Sequence, residues 1–406
     1  MSIFLPADIL LPRIKHMEKW AVVACDQFTS QPEYWKRVRE NVGDEPSTIH
    51  MIFPEAELET KGKEMIEQIN ATMQIYVSEE VFDEYKDSYV YVERTLQNGS
   101  IRKGVVGAID LEAYDFREGS ASSIRATEKT VVERIPPRME IRRDAVLEMP
   151  HVLLFCNDEN KMLIESLEMR KDHLPKLYDF DLMEGGGHIT GWLVQGEEAE
   201  IFSRTFLQYE QLTGEKSSLI MAVGDGNHSL ATAKACYEEL KQKYTEVDWS
   251  NHPARYALVE LENIHDEAQE FEPIHRLVTQ TNVDKLLEEL KKTSCGDEGI
   301  PIVCYTKDGE ENICLKQKPG QLAIGILQKF LDDYLKDNAG EIDYIHGDDV
   351  LRELAKKEDA IGFLVPTIEK AQLFLGIECD GVLPRKTFSM GHAQEKRYYL
   401  ECRKIK

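Results

Sequence analysis

Gly224-Asp225-Gly226-Asn227-His228-Ser229-Leu230-Ala231-Thr232-Ala233 follows an apolar run, Ser218-Leu219-Ile220-Met221-Ala222-Val223, and precedes a helix-like stretch, Leu230 to Tyr244. The spacing predicts a strand that turns directly into a helix. At such a corner the first helical N–H groups have no intrahelical partner, and the helix dipole is positive. Glycines let the backbone approach an anion closely. Gly224, Gly226, Asn227, His228 and Ser229 therefore form a candidate phosphate cradle, with His228 and Ser229 adding side-chain donors. Asp225 is a candidate Mg²⁺ ligand, since that ion takes one or two carboxylates alongside phosphate oxygens. The same residues also read as a plain helix cap, because Asp and Asn cap helices well. The stretch is neither a Walker A loop, which needs Lys-Ser/Thr, nor a dinucleotide G-x-G-x-x-G, because Ser229 fills the last glycine position.

Outward from the corner, helices are expected at 31–42, 55–77, 163–174, 196–214, 282–292, 325–336 and 349–357. Tyr89 to Leu96 and Ile101 to Ile109 flank Asn98-Gly99 and read as a hairpin. Ile302–Tyr305 and Ile313–Leu315 around Lys307-Asp308-Gly309 read as a second. Further strands are expected at 151–156, 190–194, 254–261 and 361–365. This mixture points to an α+β fold with mixed sheets. Divisions are expected near 150 and near 275–280, giving an N-terminal α+β part (1–150), a central part with the corner (151–278) and a C-terminal α+β part (279–406).

The chain has 406 residues and a formal net charge of -25. Such a surface repels nucleic acids and anionic membranes over a Debye length, so DNA binding is not expected. No apolar stretch reaches the roughly 18 residues that a membrane span needs. The N-terminus, Met1-Ser2-Ile3-Phe4-Leu5-Pro6-Ala7-Asp8, lacks a basic region of the signal-peptide type. Eight cysteines are scattered without a C-x-x-C pair, which suggests reduced thiols, a cytoplasmic location and no zinc site.

Four ordered motifs carry a resemblance. The corner, Thr127-Glu128-Lys129-Thr130, Pro273-Ile274-His275-Arg276 and Pro384-Arg385-Lys386-Thr387 together resemble the domain-of-unknown-function family 1015, and through it the ParB/sulfiredoxin-like superfamily. The resemblance implies a ParB/sulfiredoxin-like domain whose corner holds phosphate. Sulfiredoxins place a nucleophilic Cys where Asn227 stands, so that chemistry is not expected. ParB proteins carry arginines where His228 and Ser229 stand. Free-serine kinases share the pattern at Asp225, Gly226 and His228, but carry Arg at the Ser229 position. The kinase-like reading is a nucleotide-binding phosphotransferase acting on a small hydroxylated metabolite, using ATP, ADP or CTP. In it, Glu128 is the general base, Asp225 and His228 share the catalytic corner, and Lys386 faces the cleft. The alternative is a non-catalytic nucleotide sensor. For Glu128 the competing reading is a surface carboxylate.

Arg125, Lys129, Arg134, Arg138, Arg142 and Arg143 form a basic cluster in an acidic chain. It is either a set of phosphate-facing cations, with Arg138 foremost, or a solvated face paired with neighbouring glutamates. His188, behind Gly185-Gly186-Gly187, is either a second flexible corner or a simple turn. His275-Arg276 and Lys386-Thr387 either line the cleft or close a domain interface.

Overall fold

The computed structural model describes residues 2–57, 62–294 and 299–406. Leu58, expected in the second helix, and Cys295 lie outside the described residues. The fold is α+β with mixed and antiparallel sheets, as expected. The chain divides into two compact units. The first comprises residues 1–126, 130–269 and 392–406; the second comprises 127–129 and 270–391. The position near 150 lies inside the first unit, and 275–280 lies inside the second.

In the first unit the strands are β1 (Ala7–Pro12), β2 (Phe82–Thr95), β3 (Ile101–Asp110), β4 (Ile124–Ala126), β5 (Leu153–Cys156), β6 (Lys176–Asp181), β7 (His188–Val194), β8 (Met221–Asp225) and β9 (Tyr256–Asn263). The longer helices are α1 (Pro32–Val42), α2 (Lys63–Ser78), α3 (Ile135–Asp144), α4 (Glu197–Gly214) and α5 (Asn227–Lys243). One sheet runs in the order β6-β7-β2-β3-β9-β5-β8-β4, and Tyr114–Asp115 closes its far edge. β9 with β5 and β8 with β4 are parallel; the other labelled neighbours are antiparallel. The β2–β3 hairpin forms at Asn98-Gly99, where Gly99 takes φ 83° and the Asn98 side chain accepts from the Ser100 N–H. Only glycine enters that region without strain.

The sheet is buried on both faces. Tyr89, Tyr91 and Val105 pack with Phe202 and Phe206 of α4 and Leu230 and Tyr237 of α5. Val90, Val92 and Val106 face the other way, into a core with Trp20, Trp35 and Val38. The period of two along β2 thus feeds two cores at once. The tail of the chain belongs to this unit: Tyr398–Tyr399 pairs with Val22–Val23, and Arg403–Lys404 with Leu147–Glu148.

The second unit carries β10 (Glu272–Thr279), β11 (Ile300–Thr306), β12 (Gly309–Leu315), β13 (Glu341–His346), β14 (Ile361–Leu364) and β15 (Phe388–Ser389). Its helices are α6 (Val283–Lys292), α7 (Ala323–Tyr334), α8 (Asp348–Leu354) and α9 (Lys370–Asp380). An antiparallel sheet runs β12-β11-β14-β10-β13, with β15 on β10. The β11–β12 hairpin turns at Lys307-Asp308.

Two expected helices differ. The stretch 163–174 forms only Ile164–Glu168 and a separate turn at Lys171–His173. The Asp158 carboxylate accepts from the Met162 and Leu163 N–H groups, just ahead of the helix. Pro175 disfavours helical backbone in the residue before it. Within 55–77 the described residues form one turn at Glu55–Glu57 and then α2, which starts after Gly62.

Candidate functional site

The corner begins with β8, whose Met221, Ala222 and Val223 are buried between β5 and β4. The β8–β5 register slips between Val223 and Asp225, leaving Gly224 as the extra residue of a bulge. A Cβ at Gly224 would lie 2.5 Å from Cε2 of Phe155, so this glycine serves close packing. Such a bulge re-aims the residue that follows it. Gly226 then takes φ 78°, ψ 24°, a left-handed conformation, and α5 starts at Asn227, three residues earlier than the sequence suggested.

No side chain caps α5. The Asp225 carboxylate accepts from the Gly226 N–H at 2.8 Å, outside the helix proper. The Asn227 side-chain oxygen is buried and has no hydrogen-bond partner. Leu230 is the first residue whose N–H returns to the helix start, at Gly226 O, 3.0 Å. The side-chain cap that Asp and Asn could have provided is thus not formed, and the positive end of a 17-residue helix lacks one.

Asp225 lies 3.3 Å from the Lys396 ammonium, which the tail of the chain supplies. Burial disfavours the charged carboxylate, but Lys396, the Gly226 N–H and His151 outweigh it and hold its pKa below the usual value. Asp225 is therefore ionised at neutral pH. His228, in the first turn of α5, accepts from the Val131 N–H at its Nε2, 3.2 Å away. Burial, then Arg138 and Arg134, push its pKa down to about 4, while Asp26 pulls the other way. At pH 7 the ring is neutral, and with Nε2 accepting, its proton sits on Nδ1. One residue before Val131, the buried Thr130 hydroxyl has no hydrogen-bond partner. Ser229 is half-buried in the same first turn.

The basic cluster is largely committed elsewhere. Arg138 on α3 pairs with Glu55 and bonds Arg134 O. Arg142 pairs with Glu148, and Arg143 with Glu239. Arg125 bonds Ser122 O and the Ser218 hydroxyl. Arg138 still sets the field at His228, but its charge is matched by a carboxylate.

The second unit gathers the other motif residues. Glu128 forms a parallel bridge with Leu383, and its carboxylate accepts from the Thr387 N–H at 3.4 Å. Arg276 is fully buried. It bonds Gln328, Ile274 O, Lys386 O and Arg385 O, and sits 4.7 Å from the Tyr344 ring centre. Burial pushes its pKa down to about 10. Lys386 takes a left-handed φ of 54° and lies over the same ring. His275 accepts from the Val365 N–H. Residues 127–129, 273–276 and 384–387 thus converge within one unit, while Asp225, Asn227, His228 and Arg138 belong to the other.

His188 is the first residue of β7, paired with Asp181 of β6 on one side and Thr95 of β2 on the other, and is half-buried. Asp181 and Asp179 hold it at 2.7 Å each and raise its pKa. Sequence reasoning missed Lys396, His151, Asp26, Glu55 and Thr130. Only Asp26 had a local signal, since it follows the buried run Trp20–Cys25 as Asp225 follows its own.

The chain is similar to several solved structures, at low identity and low TM-score. SbnI with a C-terminal truncation, from Staphylococcus aureus, is 10% identical, with 70% of this chain and 83% of that chain covered and a TM-score of 0.37. A free serine kinase in complex with AMP is 12% identical, with 73% and 91% covered and a TM-score of 0.38. A conserved hypothetical protein from Pyrococcus furiosus is 13% identical, with 72% and 90% covered and a TM-score of 0.32. No curated protein matches the chain. Among the described residues no helix is long and apolar enough to cross a membrane. The model of the family described as "Protein of unknown function (DUF1015)" matches residues 9–339, and the chain belongs to that family.

Proposed function

We propose that the Gly224–Ser229 corner binds the phosphate groups of a nucleotide (ATP, ADP or CTP), and that the protein transfers a phosphoryl group to a small hydroxylated metabolite. The observation that carries this reading is the helix start that no side chain caps, entered through left-handed Gly226. Backbone N–H groups of Asn227, His228 and Ser229 are free of intrahelical bonds by position and suit anionic oxygens. Lys396 adds a cation, and His228 Nδ1 and the Thr130 hydroxyl add donors. In the transfer, the bond from the terminal phosphorus to its bridging oxygen breaks. A new bond forms from that phosphorus to the acceptor hydroxyl oxygen, whose proton passes to water, and the bridging oxygen leaves with the nucleotide shortened by one phosphate.

Mg²⁺ neutralises phosphate charge in reactions of this kind. The corner fits such an ion only as a shared site. Asp225 is ionised and half-buried, but no group of three or more metal-ligating side chains gathers among the described residues. Asp225 would supply one oxygen, and phosphate and water the rest.

A second reading, nucleotide sensing without turnover, is favoured by one observation. Arg138, the guanidinium that acts most strongly on His228, is matched by Glu55, and Ser229 carries no charge, so the foremost cation near the first turn is already paired. The deciding experiment measures thermal shift with ATP, ADP, CTP and GTP, with and without Mg²⁺, followed by label transfer from the binding nucleotide to a pool of hydroxylated metabolites. Transfer supports the enzyme; binding without transfer supports the sensor. Absence of any shift at millimolar nucleotide overturns both.

A further inference from the structure

β2 and β3 set two arginines directly opposite each other. Arg94 pairs with Arg102 in the register of the hairpin, and both are buried, at 3% and 6% exposed. Like charges facing each other across a strand pair are destabilising, and a buried charge costs free energy unless its donors are met. Burial first, then Arg102, lowers the Arg94 pKa to about 9, so the guanidinium still carries its charge at neutral pH. The hairpin needs neither charge for its own ladder, whose bonds are main-chain.

What the two guanidiniums hold is the returning tail of the chain. Arg94 donates from Nη1 to Lys396 O and from Nη2 to Gln394 O, at 2.6 Å each, while Nε and Nη2 also reach Gly186 O. Arg102 donates from Nη1 to Glu395 O at 3.0 Å and pairs through Nε with Glu262. The Arg397 carbonyl accepts from the Ala24 N–H at 2.9 Å. The four consecutive carbonyls of residues 394 to 397 are thus fixed by groups of the same compact unit. Lys396 lies between a single turn, Ala393–Glu395, and the short strand Tyr398–Tyr399, so no long element of its own fixes where its side chain goes. From this segment the Lys396 ammonium reaches Asp225, 3.3 Å away.

We infer that Arg94 is a positioning residue of the strand-to-helix corner: with Arg102 opposite it, it holds residues 394–396 so that the Lys396 ammonium stands beside Asp225. Under the phosphate reading of the corner, on which this consequence rests, Arg94 governs nucleotide affinity through Lys396.

The test uses Arg94→Lys, which keeps a charge but loses the planar fork, with Arg403→Lys as control. Arg403 is buried to the same degree as Arg102 and lies in the same tail, but it bonds Glu148, Pro253 O and Tyr256 O instead of residues 394–396. Without nucleotide, urea unfolding of Asp225→Asn, Lys396→Met and the double variant measures the coupling between those two residues. The coupling should be present in wild type and in the Arg403→Lys background, and lost in the Arg94→Lys background. Arg102→Lys, which releases only one of the three carbonyls of 394–396, should reduce it in part, and is the second variant if Arg94→Lys does not fold. With ATP and Mg²⁺, Arg94→Lys should weaken binding about fivefold or more, Arg403→Lys should not, and Arg94→Lys combined with Lys396→Met should bind no worse than Lys396→Met alone. A merely structural loss would add to that of Lys396→Met. The positioning role is overturned if the Asp225–Lys396 coupling is absent from wild type, if it survives undiminished in the Arg94 and Arg102 variants, or if the two losses of affinity add. A wild type that binds no nucleotide while the coupling behaves as expected refutes the phosphate reading and supports the hold on Lys396.

Discussion

Replacing Gly226 with alanine tests the corner where its backbone is most constrained. An L-residue in the left-handed region costs about 1–2 kcal/mol. At Gly226 a second cost adds to it. The new Cβ would stand 3.0 Å from both Cα and Cγ2 of Val152 and 3.3 Å from His151 O. Two of these atoms are backbone and cannot rotate away, so crowding adds about 1–2 kcal/mol. Gly226→Ala should therefore lower stability by about 2–4 kcal/mol. Gly99→Ala is the internal control. It lies in the same unit, has φ 83°, and has no atom within 4 Å of the added Cβ. Its loss should be the backbone cost alone, about 1–2 kcal/mol. Urea unfolding followed by fluorescence compares the two directly. If Gly226→Ala were no more destabilising than Gly99→Ala, the tight left-handed entry to α5, and the phosphate geometry built on it, would be refuted.

Other outcomes follow from the electrostatics. The depressed His228 pKa means that the folded state resists a proton the unfolded chain accepts, so stability should fall as pH drops from about 6.5 to about 4. His228→Ala should flatten that part of a pH–urea profile, and an unchanged slope would contradict the neutral ring. Glu262 is fully buried, and burial above all raises its pKa to about 8 despite Arg102 at 2.9 Å. Its stabilising contribution is present below about 4.3 and is lost as pH rises through about 8. Glu262→Gln should reduce alkaline destabilisation, and identical alkaline midpoints would count against this. Lys396→Met should cut nucleotide affinity by about tenfold or more, since it removes the cation beside the cradle and leaves Asp225 to repel phosphate; unchanged affinity in calorimetry would exclude Lys396 from the site. Arg276→Met should lower stability by about 3 kcal/mol by stranding several buried carbonyls, and a loss under 1 kcal/mol in urea would show that they are satisfied without it.

Local periodicity made much of the fold legible. The β2–β3 and β11–β12 hairpins, α1 and α4 follow from alternation, turn residues and amphipathic spacing, which are properties of adjacent residues. The strand-to-helix corner was readable for the same reason, although the start of α5 was not. The choice between Gly226 and a downstream residue as helix entry depends on Val152 and His151, which come from the loop before β5. The partners of the corner were not readable. Lys396 reaches Asp225 across 171 positions of sequence (396 minus 225), and the Val131 N–H reaches His228 across 97. The basic cluster shows the opposite limit. Its arginines stand out in an acidic chain, but the glutamates that pair with Arg138 and Arg143, Glu55 and Glu239, are distant in sequence.

The most direct test of phosphate binding at the corner is calorimetric titration of ATP with Mg²⁺ into wild type, Asp225→Ala and His228→Ala, each first shown to be folded. The account predicts saturable binding by wild type and a loss of at least about tenfold in both variants. No binding by wild type, or equal affinity in all three proteins, would contradict it.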